Sequence, residues 1–422
     1  MVRRRIRRAA CWSALFWGLG SSLFSLHLLR YLVRDLCHGQ PFAQVSATIA
    51  WIIAAPRLIG VFRLFTPGLI DAVGHRKRFC IGCLLAAPVV LSGLPLLLPT
   101  LIRQSHESSH LRLTLVVLVA FWCLHHLIEY LGSVALMSWY GDLVPQRVRG
   151  RFFGRREAWM IAGMTVGMIS LAVYSYYVID RMPIGVAKWE GYLPPAWIGL
   201  GFLFLSSLPL TVIPDIPWQR QTETFVQRLV SLFAPLADRR FIWFVFFGCW
   251  VQMSQALTQG VQYGFSMRVI GITMLFSMLM STETRIGQWL TGPRAGRLID
   301  RLGTAPVMMT SLILAATGSL FYYFAEPETW WLLFGASTVW VFWVGVNIGI
   351  SKTILDLAPP GRSAGYLAVY FTFATLTFGL FTLFGGHLTP KGFERISFLV
   401  SFELRLLAIP ILWFVFRNLK QR

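Results

Sequence analysis

The sequence predicts an all-α polytopic membrane protein with twelve transmembrane helices in two pseudo-symmetric six-helix bundles. Three observations carry that expectation. The 422 residues are 56% hydrophobic and only 13% charged, a balance outside ordinary soluble composition. Twelve apolar segments of membrane-spanning length alternate with short polar connections. The pattern Leu-Ile-Asp-x-x-Gly occurs twice, in residues 66–78 (TPGLIDAVGHRKR) and 292–303 (GPRAGRLIDRLG). Each copy sits between two apolar segments, which argues for an internal duplication.

The chain opens on Arg3, Arg4, Arg5, Arg7 and Arg8, then runs apolar over 9–32. A basic start before an apolar run also describes a signal peptide, but this run is too long for one and has no small-residue cleavage site, so it is expected to remain as the first helix. The next segments lie at about 46–70, 79–101, 113–140, 157–179 and 195–214. After a polar stretch come 241–264, 270–293, 305–325, 330–350, 364–386 and 396–417. The expected organisation is a six-helix bundle over 1–214, a cytoplasmic linker over 215–240 and a second bundle over 241–422. In the linker Phe225, Leu229, Leu232 and Phe233 recur at helical spacing opposite Arg228, which suits an amphipathic helix lying on the membrane face. Asp215, between Pro214 and Pro217, ends the sixth helix.

The formal charge of +20 is spread over short loops and chain ends, not gathered on one solvated face, so the bilayer and not nucleic acid is the expected partner. With the N-terminus inside, the inner loops hold the N-terminal arginines, Arg76, Lys77, Arg78, Arg147, Arg149, Arg151, Arg155 and Arg156, and further cations in the second half. The outer loops keep only scattered cations such as Arg34, Arg103, Arg181, Lys188, Arg268 and Lys391. That asymmetry places both termini in the cytoplasm and the protein in a cell membrane. The cysteines, at 11, 37, 80, 83, 123 and 249, follow neither a disulfide nor a zinc spacing.

A second repeat supports the first. Asp142-Leu143-Val144-Pro145 closes the fourth segment and Asp356-Leu357-Ala358-Pro359 closes the tenth, each with Arg and Gly following. The first continues as RGRFFGRR over 149–156, which serves as an arginine anchor under the positive-inside rule or also forms salt bridges with Asp71 or Asp142.

Gly296, Asp300, Arg301 and Gly303 resemble the loop 2-3 signature of the major facilitator superfamily, Gly-x-x-x-Asp-Arg-x-Gly-Arg-Lys, which recurs between helices 8 and 9. The first copy keeps Asp71, Gly74, Arg76 and Lys77, has Pro67 at the usual glycine, and replaces arginines by Ala72 and His75. The second copy loses its basic tail to Thr304, Ala305 and Pro306. The stretch 149–156 is similar to the family's basic loop 4-5, particularly in bacterial members. With both repeats the resemblance covers nearly the whole chain. It implies a secondary transporter whose bundles rock around a midplane site, with helices 1, 4, 7 and 10 along the path. It also implies gating roles for Asp71, Gly74, Arg76, Lys77, Asp142, Arg149, Gly296, Asp300, Arg301 and Gly303. Asp71 is expected against Arg78 or Arg149, and Asp300 against Arg297 or Arg301.

Ionisable groups at membrane depth are costly and mark interiors or cavities. The candidates are Arg57 and Arg63, then His125, His126 and Glu129, then Glu283 and Arg285. His125 and Glu129, four apart, share one helix face, where a carboxylate could orient or protonate an imidazole. Glu129 then either carries a coupling proton or forms a static pair with Arg57 or Arg285. Arg63 reads as a snorkelling or loop-pairing residue. Gln252, Gln255, Gln259 and Gln262 form an amide stripe that bridges helices or binds a polar ligand. Along the path implied by the resemblance, Glu129, His125, Gln255, Gln259 and Asn347 are cavity candidates, with Ser22 and His27 behind them, and Trp340 and Trp343 either pack or stack a ligand.

The leading function is therefore secondary active transport of a small solute, ion- or proton-coupled because no nucleotide-binding motif is present. A transporter-like sensor or scaffold is the alternative. A membrane-embedded enzyme would need His125-His126-x-x-Glu129 as metal ligands, but the other histidines form no companion cluster, so no metal or cofactor is expected. A monomer is expected. Gly163 and Gly167 lack the Gly-Pro pattern of the family's drug antiporters, which weighs against multidrug efflux. A sugar-like and a small organic anion substrate fit equally.

Overall fold

A computed structural model describes residues 2–36, 42–103, 108–182, 186–216, 234–272, 274–388 and 393–420. The linker residues Phe225, Arg228, Leu229, Leu232 and Phe233, expected to form an amphipathic helix, lie outside this set. Among the described residues the chain is helical, without strands.

The first half contains α1 (Val2–Leu23), α2 (Leu26–Leu36), α3 (Phe42–Ile59), α4 (Thr66–Val73), α5 (Arg76–Arg103), α6 (Ser108–Leu143), α7 (Arg149–Tyr177), α8 (Val186–Leu205) and α9 (Leu208–Thr211). The second contains α10 (Arg239–Arg268), α11 (Met274–Leu302), α12 (Thr304–Ala316), α13 (Gly318–Phe324), α14 (Leu332–Val339), α15 (Trp343–Leu357), α16 (Ser363–Leu388) and α17 (Glu394–Lys420). Several of these join into one span. A 3₁₀ turn at Gly60–Phe65 links α3 to α4, and another at Trp340–Phe342 links α14 to α15. Pro56 and Pro67 frame the first break, where a ring in place of the N–H removes a rung of the helical ladder.

Eleven helical spans among the described residues are long and apolar enough to cross a membrane, so the chain is a multi-pass membrane protein. Only α11 falls short, although it is 29 residues long. It carries Ser281, Thr282, Glu283, Thr284, Arg285 and Gln288 in its middle. Large apolar side chains such as Trp51, Leu96, Val116, Val166, Ile198 and Phe384 point outward, as a lipid-facing surface requires.

Both sequence repeats are repeats of structure. Gly74 has φ 75° and its N–H donates to the Ile70 carbonyl; Gly303 has φ 93° and its N–H donates to the Ile299 carbonyl. The Leu-Ile-Asp-x-x-Gly copies are thus two helix ends closed by the same bond, with glycine at a backbone angle L residues rarely adopt. In the second repeat Val144 N–H donates to Tyr140 and Ala358 N–H to Ile354, before prolines that cannot continue a helix.

The first half packs through α1 on α7 and α8 and through α5 on α6 and α8; the second packs through α10 on α16 and α17 and through α12 on α15 and α17. The halves meet along two seams, α3 against α16 and α7 against α11. The largest core cluster combines residues of both halves, including Trp139 and Tyr140 with Leu355, Leu367 and Tyr370. The turns at 74, 144–149, 303 and 358–362 lie at the end of the bundle where α1 begins and α17 finishes, called the basic end below.

Candidate functional site

At the basic end the seam between α7 and α11 is made by glycine. Gly150 and Gly154 face Gly292 and Gly296, each pair spaced by four. A Cβ built on Gly154 would lie 2.7 Å from the Gly292 carbonyl oxygen and 3.2 Å from Gly296 Cα. Only helices without side chains at these positions can approach so closely. Around this crossing the halves are tied by charge. The Asp300 carboxylate accepts from the backbone N–H groups of Gly150 (3.1 Å) and Arg151 (2.9 Å), and Arg151 Nε lies 3.3 Å away. An acid from one half thus caps the α7 N-terminus in the other, where unsatisfied N–H groups and the helix dipole favour an anion.

Arg149 spans the same boundary. It donates through Nη2 to the Gly141 carbonyl (2.7 Å), and through Nη1 to the Leu355 carbonyl (3.0 Å) and Asp356 Oδ1 (2.8 Å). Lys352 holds the other Asp356 oxygen at 2.6 Å. Ser138 and Ser363 share a hydrogen bond across the halves at 2.8 Å. Arg76, fully buried, donates to Ser138 Oγ (3.0 Å) and Asp142 Oδ2 (2.6 Å). Lys77 donates to the carbonyls of Thr211 and Ile213 (2.7 and 2.8 Å), closing the last helix of the first half.

The expected ion pairs differ from these. Asp300 pairs with Arg151 and the α7 backbone, not with Arg297 or Arg301, both of which are exposed. Arg149 pairs with Asp356, not with Asp71 or Asp142. The reason is orientation: the α7 N-terminus lies on the second half, so its donors point across the seam. Asp71 is half-buried on α4 and Arg78 is exposed. Arg63 is buried rather than snorkelling. Its guanidinium sits 3.5 Å from the Tyr130 ring centroid and donates to the Phe371 carbonyl at 3.2 Å, a further tie across the halves.

Midway along α6 is a polar cluster. Glu129 Oε1 accepts from Trp17 Nε1 at 2.6 Å and Oε2 accepts from His126 Nδ1 at 2.9 Å. His125 donates through Nδ1 to the Ala87 carbonyl at 2.9 Å, leaving its Nε2 3.9 Å from Glu129 Oε2. Both Nδ1 atoms face acceptors and so carry hydrogens. The Nε2 atoms of both imidazoles are left open; that of His125 lies nearer the carboxylate, and a proton there converts a lone pair facing Glu129 into an ion pair. Glu129 pairs with neither Arg57 nor Arg285. The Arg57 guanidinium lies 4.8 Å from the Phe378 ring centroid, and Arg285 contacts Met164 Sδ at 2.9 Å while interacting electrostatically with Glu157. The helical offset fixed this: three and four residues before Glu129 stand imidazoles, which reach it without crossing the bundle. His125, His126 and Glu129 form the one group among the described residues that brings metal-type donor atoms together, within 4.8 Å. Around an ion about 2.1 Å from each ligand, donor atoms lie at most about 4.2 Å apart.

A separate cavity of about 440 Å³ opens in the second half against α2. Gln255, Gln259 and Gln262 of α10, Thr284, Arg285 and Gln288 of α11, Trp340, Trp343, Tyr322, Arg405 and Arg30 all line it. The amide stripe therefore faces a cavity, and Gln262 also donates to the Tyr322 hydroxyl at 2.7 Å. Glu129, His125, Arg57 and Asn347 are not among the lining residues. Ser22 is buried elsewhere, and the His27 side chain lies outside the described residues. The sequence reading missed Trp17, Arg30 and Arg405. Arg405 was findable as a cation inside the apolar segment 396–417, whereas Trp17 carries no such mark.

An all-helical pair of bundles meeting at tight loop-proximal seams defines a class of fold, that of the major facilitator superfamily. No protein-family model matches the sequence, and no curated protein does. Among solved structures, FucP, a major facilitator superfamily transporter in the outward conformation, is similar over 99% of both chains with a TM-score of 0.71 at 14% identity. The proton:xylose symporter XylE bound to 6-bromo-6-deoxy-D-glucose is similar over 98% of this chain and 95% of its own, with a TM-score of 0.70 at 13% identity. The human organic anion transporter MFSD10 is similar over 97% and 99%, with a TM-score of 0.67 at 15% identity. At such identities the likeness carries the fold, and the fold class expected from the sequence is the one observed.

Proposed function

We propose that the chain is a secondary transporter of the major facilitator superfamily, moving a small solute by alternating access between a first bundle (1–214) and a second (241–422) joined by a linker (215–240). The observation that carries this reading is the asymmetry of the bundle. The basic end is drawn shut by the Gly150/Gly154–Gly292/Gly296 crossing and by Asp300 and Arg149 bridging the halves, while a polar cavity remains between α2 and the second half. Ties made of a few polar contacts around a glycine crossing can be exchanged for others at the opposite end, as rocking bundles require. The arginine-rich loops favour a cytoplasmic basic end and cytoplasmic termini, so this conformation is open outward.

Proton coupling fits the α6 cluster. Glu129 and the open Nε2 of His125 share one proton position, and Trp17 of α1 ties that position to a second helix. Among the described residues lining the cavity, hydroxyls, amides and arginines stand without a histidine or carboxylate beside them, a lining that suits holding a solute. The similar structures include a proton:xylose symporter and an organic anion transporter, in keeping with a small-molecule substrate.

The test uses purified protein in sealed vesicles under an imposed inward proton gradient, offered radiolabelled xylose, fucose and benzoate, with spin-label distances measured across both ends. Accumulation above protein-free vesicles that collapses with a protonophore supports the reading. Absence of any flux, together with ends that never exchange their distances, would identify a sensor or scaffold instead.

A further inference from the structure

We infer that the cavity between α2 and the second half is a binding site for an organic anion, a flat apolar body carrying a carboxylate, sulfonate or phosphate, with Arg405 as its principal counter-charge. This deepens the transport reading and rests on it for the ligand's passage, though not for its binding.

Arg405 lies within α17 and is 2% exposed. Its polar contacts are long: Nη2 to Thr258 Oγ1 at 3.3 Å and Nη1 to the Ala315 carbonyl at 3.5 Å, against about 2.9 Å for a good N–H···O bond. Its Nε has no partner, and among the described residues no carboxylate lies within ion-pair distance. A guanidinium taken out of water and left so is expensive, and such groups inside membrane bundles face partners or aqueous cavities. This one lines the cavity, together with Arg285 and Arg30. Among the described residues that line the cavity none is Asp or Glu. Glu157 partly offsets Arg285, and the nearest acid on the same helix, Glu283, is not in the lining and accepts from Thr338 at 2.6 Å. The unmatched charge is therefore centred on Arg405. A concave site walled by one sign of charge concentrates ligands of the other, and guanidinium forks suit planar oxyanions.

The remaining lining specifies the rest of the ligand. The Arg405 guanidinium lies 5.5 Å from the Trp343 ring centroid, and Trp340, stacked on Tyr322 at 5.5 Å between centroids, continues an aromatic wall. Gln255, Gln259 and Gln288 supply amides to uncharged polar substituents. A bare sugar would satisfy the amides and leave Arg405 without a counter-charge. A hydrophobic cation would meet like charge at Arg405.

The first experiment needs no knowledge of the natural ligand. In the full chain with its native cysteines replaced by alanine, Ser281→Cys puts one thiol in the cavity. Its reaction rates with the anionic sulfonatoethyl and the cationic trimethylammonioethyl methanethiosulfonates are each normalised to a free thiol. The anionic reagent is expected to react at least tenfold faster, and Arg405→Gln should cut that ratio several-fold while Arg405→Lys keeps it within about threefold. The second measures melting temperature in detergent with benzoate, benzenesulfonate and phenyl phosphate, against benzyl alcohol, benzylamine and xylose. Anions should raise it, and Arg285→Gln should weaken that stabilisation, read as the ligand-induced shift from the variant's own unliganded melting temperature because Glu157 loses its neighbouring cation. Equal or reversed thiol rates overturn the inference. So does stabilisation by xylose, benzyl alcohol or benzylamine without stabilisation by any anion, or no stabilisation at all. Neither readout involves transport: anion binding without flux would sink only the transporter reading, and proton-driven xylose flux without anion preference would sink only this one.

Discussion

Replacing Gly154 by alanine should unlatch the basic end. The added Cβ would meet the Gly292 carbonyl oxygen at 2.7 Å and the Gly296 Cα at 3.2 Å. These neighbours are backbone, so no rotamer change relieves the overlap. Ordinary contact begins near 3.4 Å, so α7 and α11 must part locally by about 0.7 Å. Overpacking of this kind costs about 1–3 kcal/mol, and it acts only on the conformation in which the two helices touch. The ratio of closed to open at this end should fall by about 5- to 150-fold. The Asp300 cap on Gly150 and Arg151 depends on the same approach and should weaken with it. Spin labels at Arg147→Cys and Arg297→Cys would report the basic end, and at Thr100→Cys and Glu328→Cys the opposite end. The first distance distribution should lengthen and the second shorten. Gly201→Ala, where an added Cβ meets nothing within 4 Å, is the control. Distributions that stay put in Gly154→Ala, and also in the bulkier Gly154→Leu, would show that the crossing does not govern the conformation.

Further outcomes follow from the same geometry. Asp300→Asn should open the basic end about tenfold, because hydrogen bonds to a charged group contribute about 1.5–3 kcal/mol; the exposed Arg151 contact adds little, so Arg151→Gln should be nearly silent in the same distance measurement. Glu129→Gln should fold, bind its solute and exchange it downhill while losing proton-driven accumulation, and retained uphill uptake would remove the proton from Glu129. Trp17→Phe, which deletes the 2.6 Å donor to Glu129, should shift the pH dependence of uptake without abolishing it. Gly303→Asn should lower the melting temperature more than Gly74→Asn, since Gly74 (φ 75°, ψ −3°) sits near a region asparagine tolerates and Gly303 (φ 93°, ψ 164°) in one essentially reserved for glycine.

The fold was legible because the bilayer imposes it. Residue types in 1–422 had to alternate between apolar spans and cationic turns, and the glycines at 74 and 303 had to be glycine for their helices to end as they do. The two Leu-Ile-Asp-x-x-Gly copies announced what they share, a helix end closed by a glycine N–H at positive φ, though not the ψ at which they differ. The partners of Asp300 and Arg149 did not announce themselves. Asp300 reaches backbone N–H groups, which every sequence has and none advertises, and Arg149 chooses Asp356 over Asp142 because of a helix crossing more than two hundred positions removed in sequence. Glu129 was identifiable as a buried carboxylate, but its ties to His126 and Trp17 required knowing which way α1 faces. The amide stripe on α10 left helix bridging and ligand contact both open; the structure puts Gln255, Gln259 and Gln262 on the cavity, with Gln262 also bridging to Tyr322. Arg405 was as visible as Arg285 and stood out only once no acid was found within ion-pair distance of it among the described residues.

The polar midsection of α11 has a consequence for how the protein is made. A helix leaving the ribosome is sorted into lipid by its own partition free energy, and a central arginine weighs against insertion by about 2.5–3.5 kcal/mol while each leucine or isoleucine returns only a fraction of that. Residues 274–302, with Glu283, Arg285 and Gln288 in mid-span, are poorly suited to enter the bilayer unaided. Their entry is best accompanied by a neighbour that hides the polar stripe, either α10, already in place with its glutamines, or the strongly apolar α12 that follows after a one-residue turn at Gly303. The residues that make the cavity wet in the finished molecule thus make its assembly cooperative, and a released chain truncated after residue 303 should leave this segment more open to added protease than one that also carries α12.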